Sequence, residues 1–275
     1  MSTGLGHVRF DIASDRQWLV PISRIGGLPI AVTDRAQSAE FMVDLALDRR
    51  DSPLPPLIIT SANGQVLSLC ARQPAIRHLF LQTDLIHADG MSLVFASRLF
   101  CNAALPERIC TTDFFHDVAV VGERRGARMF LLGGTQSVID AAAQRVKAQY
   151  PCLDIVGHAN GYMRREREKA SVIDAINAAK PDILWIGLGA PLEQQFAVRN
   201  RHRFLGVGLI KTAGGLFDVL SGEKPRAPRW VINAGMEWAY RWCLEPERLA
   251  VRYLTTNPHA LYLLLTRTGK EGGSL

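Results

Sequence analysis

Short apolar runs alternate with longer stretches in which apolar residues recur every three or four positions. The runs predict buried strands at residues 27–32, 57–60, 84–88, 128–132, 153–156, 183–186 and 206–210. The longer stretches predict helices at residues 38–47, 65–70, 91–100, 111–122, 138–149, 165–179 and 193–199. Because strands and helices alternate, we expect an α/β fold in which helices cover both faces of a parallel sheet.

The two ends of the chain interrupt this alternation. The N-terminal residues show only weak periodicity. After Gly222, an extended basic stretch precedes helical segments at 235–244 and 248–254, and a last apolar helix is expected after Pro258. The sequence therefore predicts an N-terminal extension (1–27), an α/β catalytic core (28–222) and a basic C-terminal segment (223–275).

The composition is that of a globular protein with an anionic partner. The 275 residues carry a net charge of +6, which favours a nucleotide, a nucleic acid or an acidic lipid surface. The five cysteines form no Cys-x-x-Cys pair, so we expect neither a disulfide framework nor a zinc site, and a reducing cytoplasmic compartment fits. We expect no secretory signal, and no apolar run approaches the ~18 to 20 residues of a transmembrane helix.

A carboxylate closes one of the apolar runs. Asp89 follows residues 84–88 and precedes the helix predicted from Met91. This order places the carboxylate at the carboxyl end of a strand, where open α/β sheets bind their ligands. Asp89 is therefore the N-cap of that helix, an active-site residue, or both. The nearby His87 is expected to be a core or supporting residue rather than a catalytic one.

Two glycine-bearing turns follow later strands. The first contains Gly133, Gly134 and Thr135, where bare backbone and a helix N-terminus suit a phosphate, although a tight turn without a ligand has the same pattern. The spacing of this first turn is neither that of a Walker A loop nor Gly-x-Gly-x-x-Gly. The second turn, at residues 187–191, leads into a polar stretch. Its candidate binding residues are Gly189, Glu193 and Gln194. Two such turns on one sheet edge predict a nucleotide-sized crevice.

Asp218 follows a pair of glycines and is a further candidate, either for contact with a substrate or for fixing its own loop. The chain has no Asp-x-Asp triplet, which is the usual device for holding a metal ion on a nucleoside diphosphate. We therefore expect no metal and no cofactor. The charge on a leaving phosphate would then need arginine side chains and backbone N–H groups.

Arginine and tryptophan are concentrated in the segment 223–275. Arg226, Arg229, Arg241 and Arg248 are candidates for contact with a lipid diphosphate and a membrane surface, because this composition is typical of peripheral attachment. A solvated charged face over core tryptophans is the alternative. No basic helix with regularly spaced base-reading residues is present, so we favour a membrane surface over nucleic acid.

Taken together, these segments resemble the WecG/TagA/CpsF family of bacterial glycosyltransferases from about Gly27 to Tyr253. The resemblance is carried by motifs in a family-like order: TSAN at 60–63, ADG at 88–90, ERICTTD at 107–113, FLLGG at 130–134, NGY at 160–162, GLGAP at 187–191, GGLFD at 214–218, RAPRW at 226–230 and EWAYR at 237–241. It implies a Rossmann-like parallel sheet core with helices on both faces, plus a helical C-terminal appendage that attaches to the membrane.

The resemblance also implies an activity. Such enzymes transfer a sugar from a UDP-sugar to a polyprenyl-diphosphate-linked saccharide, with inversion at the anomeric carbon and without an Asp-x-Asp metal site. They are peripheral proteins on the inner, cytoplasmic face of the membrane, and they build exopolysaccharides and other cell-surface polymers. We therefore expect a hexosyl- or N-acetylmannosaminyltransferase, and the sequence leaves a homo-oligomer open.

Several site residues follow from the resemblance alone. The aspartate of the ADG motif, here Asp89, is the expected general base. Ser61 and Asn63 are expected to line the same pocket, and Arg108 is implied in handling phosphate. Two further motif residues are expected to contact substrate, Asp113 and Tyr162.

The chain departs from the family pattern near some of these positions. Ser61 stands where threonine is usual, and Thr111 stands where glycine or another small residue is usual. Glu193 and Gln194 exchange the carboxylate and amide positions of the family pattern. Two other functions stay open: a soluble nucleotide-sugar-binding α/β enzyme without a lipid partner, and a non-catalytic nucleotide-sugar sensor.

Overall fold

The computed structural model describes residues 6–11, 17–233 and 235–269, without the side chains of Asp11, Gln17, Trp18, Arg229, Asn233, Arg241 and Arg248. The described strands are β1 (Gly6–Asp11), β2 (Gln17–Ile25), β3 (Leu28–Ala31), β4 (Leu57–Ala62), β5 (Leu85–Ala88), β6 (Arg128–Gly133), β7 (Asp154–Ala159), β8 (Ile183–Gly187) and β9 (Leu209–Thr212). The described helices are α1 (Arg35–Asp48), α2 (Gly64–Arg72), α3 (Pro74–Leu81), α4 (Met91–Phe100), α5 (Thr111–Arg125), α6 (Gln136–Gln149), α7 (Glu166–Ala179), α8 (Leu192–Asn200), α9 (Leu216–Leu220), α10 (Arg229–Asn233), α11 (Glu237–Leu244) and α12 (Pro246–Thr266).

The larger sheet of the described residues has the order β5-β4-β9-β8-β6-β7, and all its strand pairs are parallel. Parallel pairing of successive strands requires crossover connections, and helices supply them here. The predicted α/β fold with a Rossmann-like core is confirmed. Because every strand runs in the same direction, the carboxyl ends of all six strands meet at one edge of the sheet.

Helices bury both faces of this sheet. Side chains alternate along a strand, so Ile58 and Ile59 point to opposite faces. Ile59 belongs to an apolar cluster with α1 and α5, in which Trp185 of β8 is completely buried. Ile58 belongs to a second cluster with Ile173 and Ile176 of α7. Apolar side chains on both faces explain why the strands read as continuous apolar runs.

The N-terminal residues form a second, antiparallel sheet with the order β1-β2-β3. A two-residue turn joins β2 to β3, because Gly26 and Gly27 both adopt positive φ angles, of 58° and 90°. Only glycine populates this region readily, and such turns match the twist of paired strands. Phe10 of β1 packs edge-on against Phe41 of α1, with ring centroids 5.2 Å apart. Residue 27, the predicted end of the N-terminal extension, lies in the turn between the paired strands β2 and β3. The three-part division of the chain stays a prediction.

The C-terminal segment differs from the sequence prediction in one respect. Helix α12 continues through Pro258, so the expected break before that proline is wrong. Pro258 and Leu254, whose carbonyl would accept the missing N–H, both lie on the exposed side of α12, where water can satisfy that carbonyl. After α12, the chain docks on the β2–β3 turn: the Gly27 N–H donates to the Arg267 carbonyl at 3.0 Å, and the Gly26 N–H donates to Thr268 Oγ1 at 3.0 Å.

Candidate active site

The carboxyl ends of the parallel strands open into a cleft of about 1750 Å³. Helix α8 and the segment after α9 supply further walls. The predicted site residues that line it are Ser61, Asn63, Asp89, Arg108, Gly134, Tyr162, Gly189, Glu193, Asp218 and Arg226. Others do not line it, namely Gly133, Thr135, Asp113 and Gln194. The sheet edge that sequence analysis predicted for ligand binding is therefore the edge at which the structure has its large cleft.

Asp89 lies directly after β5 and lines the cleft. Its N–H donates to the Ala62 carbonyl at 2.8 Å, which ties it to the end of β4. Its Oδ2 accepts from Thr111 Oγ1 at 3.2 Å and lies 3.5 Å from the Thr111 nitrogen. Helix α4 begins after Gly90 without a side-chain cap, so the alternative in which Asp89 caps that helix is wrong. The carboxylate instead faces the first residue of α5, where the helix dipole favours a negative charge.

A buried lysine that the sequence analysis missed lies next to Ser61. Lys211 of β9 is 0% exposed, and its Nζ donates to Ser61 Oγ at 2.8 Å and to the Thr212 carbonyl at 3.1 Å. Burial lowers the pKa of Lys211 to about 8, against the opposing effects of the Glu193 and Asp89 charges. The predicted strand ended at residue 210, directly before Lys211. The signal was a lysine inside the apolar sequence of residues 207–212.

Glu193 and Gln194 at the start of α8 are both buried, and each forms hydrogen bonds to neighbouring elements. Glu193 Oε2 accepts from the N–H groups of Gly189 at 3.1 Å and Gly214 at 2.8 Å. Burial raises the pKa of Glu193, and these backbone N–H groups and Lys211 act against it. Gln194 Nε2 donates to Thr60 Oγ1 at 2.8 Å. Their expected contact with substrate stays a prediction. The observed contacts of Glu193 position the second glycine turn, and those of Gln194 tie the start of α8 to β4 and β9.

Asn63 and Arg108 stand on opposite sides of Asp89 in the chain, and both line the cleft. Asn63 is the N-cap of α2, and its Oδ1 accepts from the Val66 N–H at 3.1 Å. Arg108 forms an ion pair with Glu237 of α11, with Nη1 and Oε2 3.1 Å apart. The two side chains are 11% and 14% exposed. The C-terminal segment is thus held against the cleft at the residue predicted to handle phosphate.

The first glycine turn is closely packed. A Cβ atom on Gly133 would overlap the carbonyl oxygen of Gly187, so glycine is required there by the approach of β6 to β8. The Gly134 carbonyl accepts from the Gly161 N–H at 2.9 Å. Thr135 is the N-cap of α6, and its Oγ1 accepts from the Val138 N–H at 3.3 Å. Among these, Gly134 faces the cleft, and phosphate binding by this turn stays a prediction.

Charged residues at the rim are already paired with one another. Arg226 Nη2 lies 2.5 Å from Asp113 Oδ1, and Arg35 Nη1 lies 3.5 Å from the other oxygen of Asp113. Lys224 Nζ lies 3.1 Å from Asp218 Oδ2, which supports the interpretation that Asp218 fixes its own loop. Tyr162 is 65% exposed at the mouth of the cleft.

The C-terminal arginines divide into two groups. Arg229, Arg241 and Arg248 lie in α10, α11 and α12, and their side chains lie outside what the structure describes. Arg252 of α12, which was not among the predicted site residues, does line the cleft. Its guanidinium lies over the Tyr253 ring at 5.0 Å, and its buried Nε has no hydrogen-bond partner among the described residues.

His87 is a core residue, as expected. It is 0% exposed and packs edge-on against Phe114, with ring centroids 5.2 Å apart. Burial, together with the charge of Lys211, lowers the pKa of His87 well below its usual value. His87 is therefore neutral at physiological pH and adds no charge near Asp89.

The fold and this cleft define a Rossmann-like α/β enzyme with a carboxylate at the carboxyl end of a strand. The chain belongs to the WecG/TagA/CpsF family of glycosyl transferases, whose family model matches residues 23–272. It is thus a glycosyltransferase. The match extends beyond both limits of the resemblance found in the sequence.

Curated relatives agree with this assignment. A Bacillus subtilis (strain 168) protein is 31% identical over 217 residues, which cover 78% of this chain and 81% of the relative. Relatives from Bacillus spizizenii and Staphylococcus aureus are 33% and 28% identical over 193 residues, covering 69% and 70% of this chain and 72% and 74% of the relatives. All three are named N-acetylglucosaminyldiphosphoundecaprenol N-acetyl-beta-D-mannosaminyltransferase.

No described helix combines the length and apolar character that crossing a membrane demands. No group of three or more histidine, cysteine, aspartate or glutamate side chains in residues 6–11, 17–233 and 235–269 is arranged to hold a metal ion.

Proposed function

We propose that this glycosyltransferase moves an N-acetylmannosaminyl or related hexosyl group from a UDP-sugar to a polyprenyl-diphosphate-linked saccharide. The names of the relatives support this acceptor class, since their acceptor is a saccharide on a diphosphoundecaprenol lipid. The product would enter an exopolysaccharide or another cell-surface polymer, made at the inner face of the cytoplasmic membrane.

One observation carries the chemistry: the Asp89 carboxylate lines the cleft and is oriented by Thr111. In the proposed step, Asp89 removes the proton of an acceptor hydroxyl while that oxygen bonds to the anomeric carbon of the donor. The bond from the anomeric carbon to the diphosphate breaks, and UDP leaves with the electron pair. A positioned base contributes about 10²–10⁴-fold to such a step. This single displacement inverts the anomeric centre.

Arginine side chains are proposed to take the charge of the leaving diphosphate in place of a metal ion. Arg108, Arg226 and Arg252 line the cleft. Arg108 and Arg226 are paired with carboxylates, so a diphosphate would have to exchange with Glu237 and Asp113. We expect EDTA in the assay to leave the transfer rate unchanged. A loss of activity that added Mg²⁺ or Mn²⁺ restores would contradict the metal-free mechanism.

The main test is the substitution Asp89→Asn, assayed by transfer of radiolabel from a panel of UDP-sugars to a short-chain lipid diphosphate acceptor. We expect a fall in kcat of at least about 10²-fold with the thermal unfolding midpoint unchanged, because the amide cannot accept the proton. Asp174→Asn on the exposed surface of α7 is the matched control and should keep full activity.

The same assay distinguishes the proposed function from the two alternatives, a soluble enzyme without a lipid partner and a non-catalytic sensor. Near-normal turnover by the Asp89→Asn variant would contradict the base assignment. Transfer to water-soluble acceptors alone would indicate an enzyme without a lipid partner. Tight UDP binding without transfer to any acceptor, unaffected by Asp89→Asn, would indicate a sensor.

The exposed side of α12 supports a membrane location for this activity. Its apolar residues fall within an arc of roughly 100° at 100° per residue. They are Val251, Leu254, Leu261, Tyr262 and Leu265, each more than half exposed. The opposite side, with Leu249, Ala260 and Leu263, is buried against the core. An apolar stripe of this kind on a helix beside the cleft is typical of a surface that rests on lipid.

A further inference from the structure

Lys211 is a buried cation next to the active site that the mechanism above does not use. It is 0% exposed and does not line the cleft, so it can act on the site only through neighbouring groups. A buried ammonium ion is unfavourable unless hydrogen bonds and opposite charges compensate it. Lys211 has both, through Ser61 Oγ, the Thr212 carbonyl, and the charges of Glu193 and Asp89.

The register of the parallel sheet places Lys211 and Ser61 on one face. In the β4–β9 pairing, Ile59 lies opposite Lys211, and in the β4–β5 pairing, Ser61 lies opposite His87. Side chains two residues apart on a strand share a face. Ser61 therefore shares the face of Lys211, while Asp89 follows the end of β5 and is connected to Ser61 through Thr111.

A hydrogen-bond chain runs from the lysine to the carboxylate. Lys211 Nζ lies 2.8 Å from Ser61 Oγ, which lies 3.5 Å from Thr111 Oγ1. Thr111 Oγ1 donates to Asp89 Oδ2 at 3.2 Å. An ammonium group can only donate and an ionised carboxylate can only accept. Both ends therefore impose the same direction on the two hydroxyl groups, from Lys211 towards Asp89.

We propose that Lys211 is a positioning residue for sugar transfer, whose ammonium group fixes the direction of the hydrogen-bond chain that orients the Asp89 carboxylate through Ser61 and Thr111. This inference rests on the proposed base function of Asp89. A charged donor at one end polarises each hydrogen bond along the chain. A neutral lysine amine can accept a hydrogen bond from Ser61, so the Ser61 hydroxyl can turn away from Thr111 when Lys211 loses its proton, and the chain to Asp89 is then interrupted at Ser61.

The surroundings assign a pH dependence to Lys211 itself. The titratable groups that interact with Lys211 or Asp89 include Glu193 from α8, His87 from β5, and Arg108 and Cys110 from the loop before α5. One step further out, Glu237 of α11 faces Arg108 and Cys110, and Asp113 of α5 faces Cys110. Burial raises the pKa of Cys110 to about 12, whereas that of His87 is far below its usual value. With the pKa of Lys211 at about 8, this lysine is the group expected to change charge near that pH.

The test is a double-mutant cycle with two substitutions that keep side-chain bulk. Lys211→Met removes the charge, and Thr111→Val removes the hydroxyl group in the middle of the hydrogen-bond chain. We expect Lys211→Met to lower kcat about 10- to 100-fold, with KM for the UDP-sugar changed less than about threefold. In the Thr111→Val background, the same change should lower kcat less than about threefold. Lys147→Met, on the exposed surface of α6, is the matched control.

A purely structural lysine gives a different result. An equal fall in kcat in both backgrounds, or a normal kcat in Lys211→Met, overturns the proposal. The pH profile gives a second readout: the wild-type kcat should fall as pH rises through about 8, and both single variants should lack this decline. If Lys211→Met does not fold, the Thr111→Val profile decides, and a wild-type decline in that variant overturns the proposal.

Failure of this inference is distinguishable from failure of the proposed function. If Asp89→Asn abolishes transfer while Lys211→Met is normal, the base assignment stands and the positioning role is wrong. If Asp89→Asn retains transfer, both are wrong.

Discussion

At the scale of single residues, the surroundings of Asp89 decide its chemistry. Taken alone, a carboxylate before a helix is better explained by capping than by catalysis, and the motifs along the chain reverse that preference. In the structure, Asp89 is not the N-cap of α4, and its carboxylate accepts a hydrogen bond from Thr111 at the start of α5. Lys211 then supplies a buried cation from a strand that is distant in sequence. The same aspartate is thus part of a polar network that local sequence does not show.

The depressed pKa of Lys211 predicts a stability effect. Between about pH 8 and the ordinary lysine value of 10.5, the unfolded chain binds a proton at this position and the folded chain does not. The free energy of unfolding of the wild type should therefore rise with pH relative to Lys211→Met, by at most about 1.4 kcal/mol per pH unit. Urea unfolding of both proteins between about pH 7 and 10 measures it, and a constant difference would contradict the buried cation.

At the scale of secondary structure elements, the local sequence was enough to predict some strands but not every element. The strands β4, β5, β6 and β8 were predicted from their apolar runs, since both their faces are buried. The β2–β3 hairpin was missed, although the Gly26–Gly27 pair is a hairpin signal. Helix α3 was also missed, because it spans only eight residues and a single residue separates it from α2, so Pro74 was interpreted as the end of a helix and not as the start of one.

The hairpin turn gives a prediction at this scale. Gly27→Ala places a side chain at a φ angle of 90°, where its Cβ meets only ordinary contacts with Arg267. The cost is therefore in the backbone, and we expect a loss of about 1–2 kcal/mol in the free energy of unfolding. Gly6→Ala in β1 is the control, because nothing lies within 4 Å of its Cβ. Equal stability of the two variants in urea titrations would show that the turn is not strained.

At the scale of the whole molecule, the C-terminal segment completes the cleft. Glu237 of α11 forms an ion pair with Arg108, and residues of α12 line the cleft. The chain directly after α12 docks on the β2–β3 turn. Leu263 and Leu264 are buried in the core. Removing residues 223–275 would therefore disturb folding as well as membrane contact, and substitutions on the exposed side of α12 are the cleaner test.

Leu254→Glu with Leu265→Glu tests the membrane surface. Both leucines are exposed, at 65% and 56%, and neither lines the cleft. Complete burial of a leucine side chain in lipid would contribute about 1.5–3 kcal/mol, and each substitution removes this contribution. The glutamate charge is in addition repelled by anionic lipid. We expect at least a fivefold drop (about 1 kcal/mol) in sedimentation with phosphatidylglycerol vesicles. Leu205→Glu, before β9 at the opposite sheet edge, is the control, and equal binding by the two variants would place the membrane surface elsewhere.

The sequence determined the α/β class, the family and the sheet edge at which the cleft lies, because apolar periodicity and short motifs are properties of neighbouring residues. The tertiary structure alone decided what surrounds Asp89. Ser61, Thr111 and Lys211 lie far apart along the chain, and parallel strand register and the start of α5 bring them together. Hydrogen bonds and buried charges depend on distances of a few ångströms, and those distances exist only once the sheet has formed.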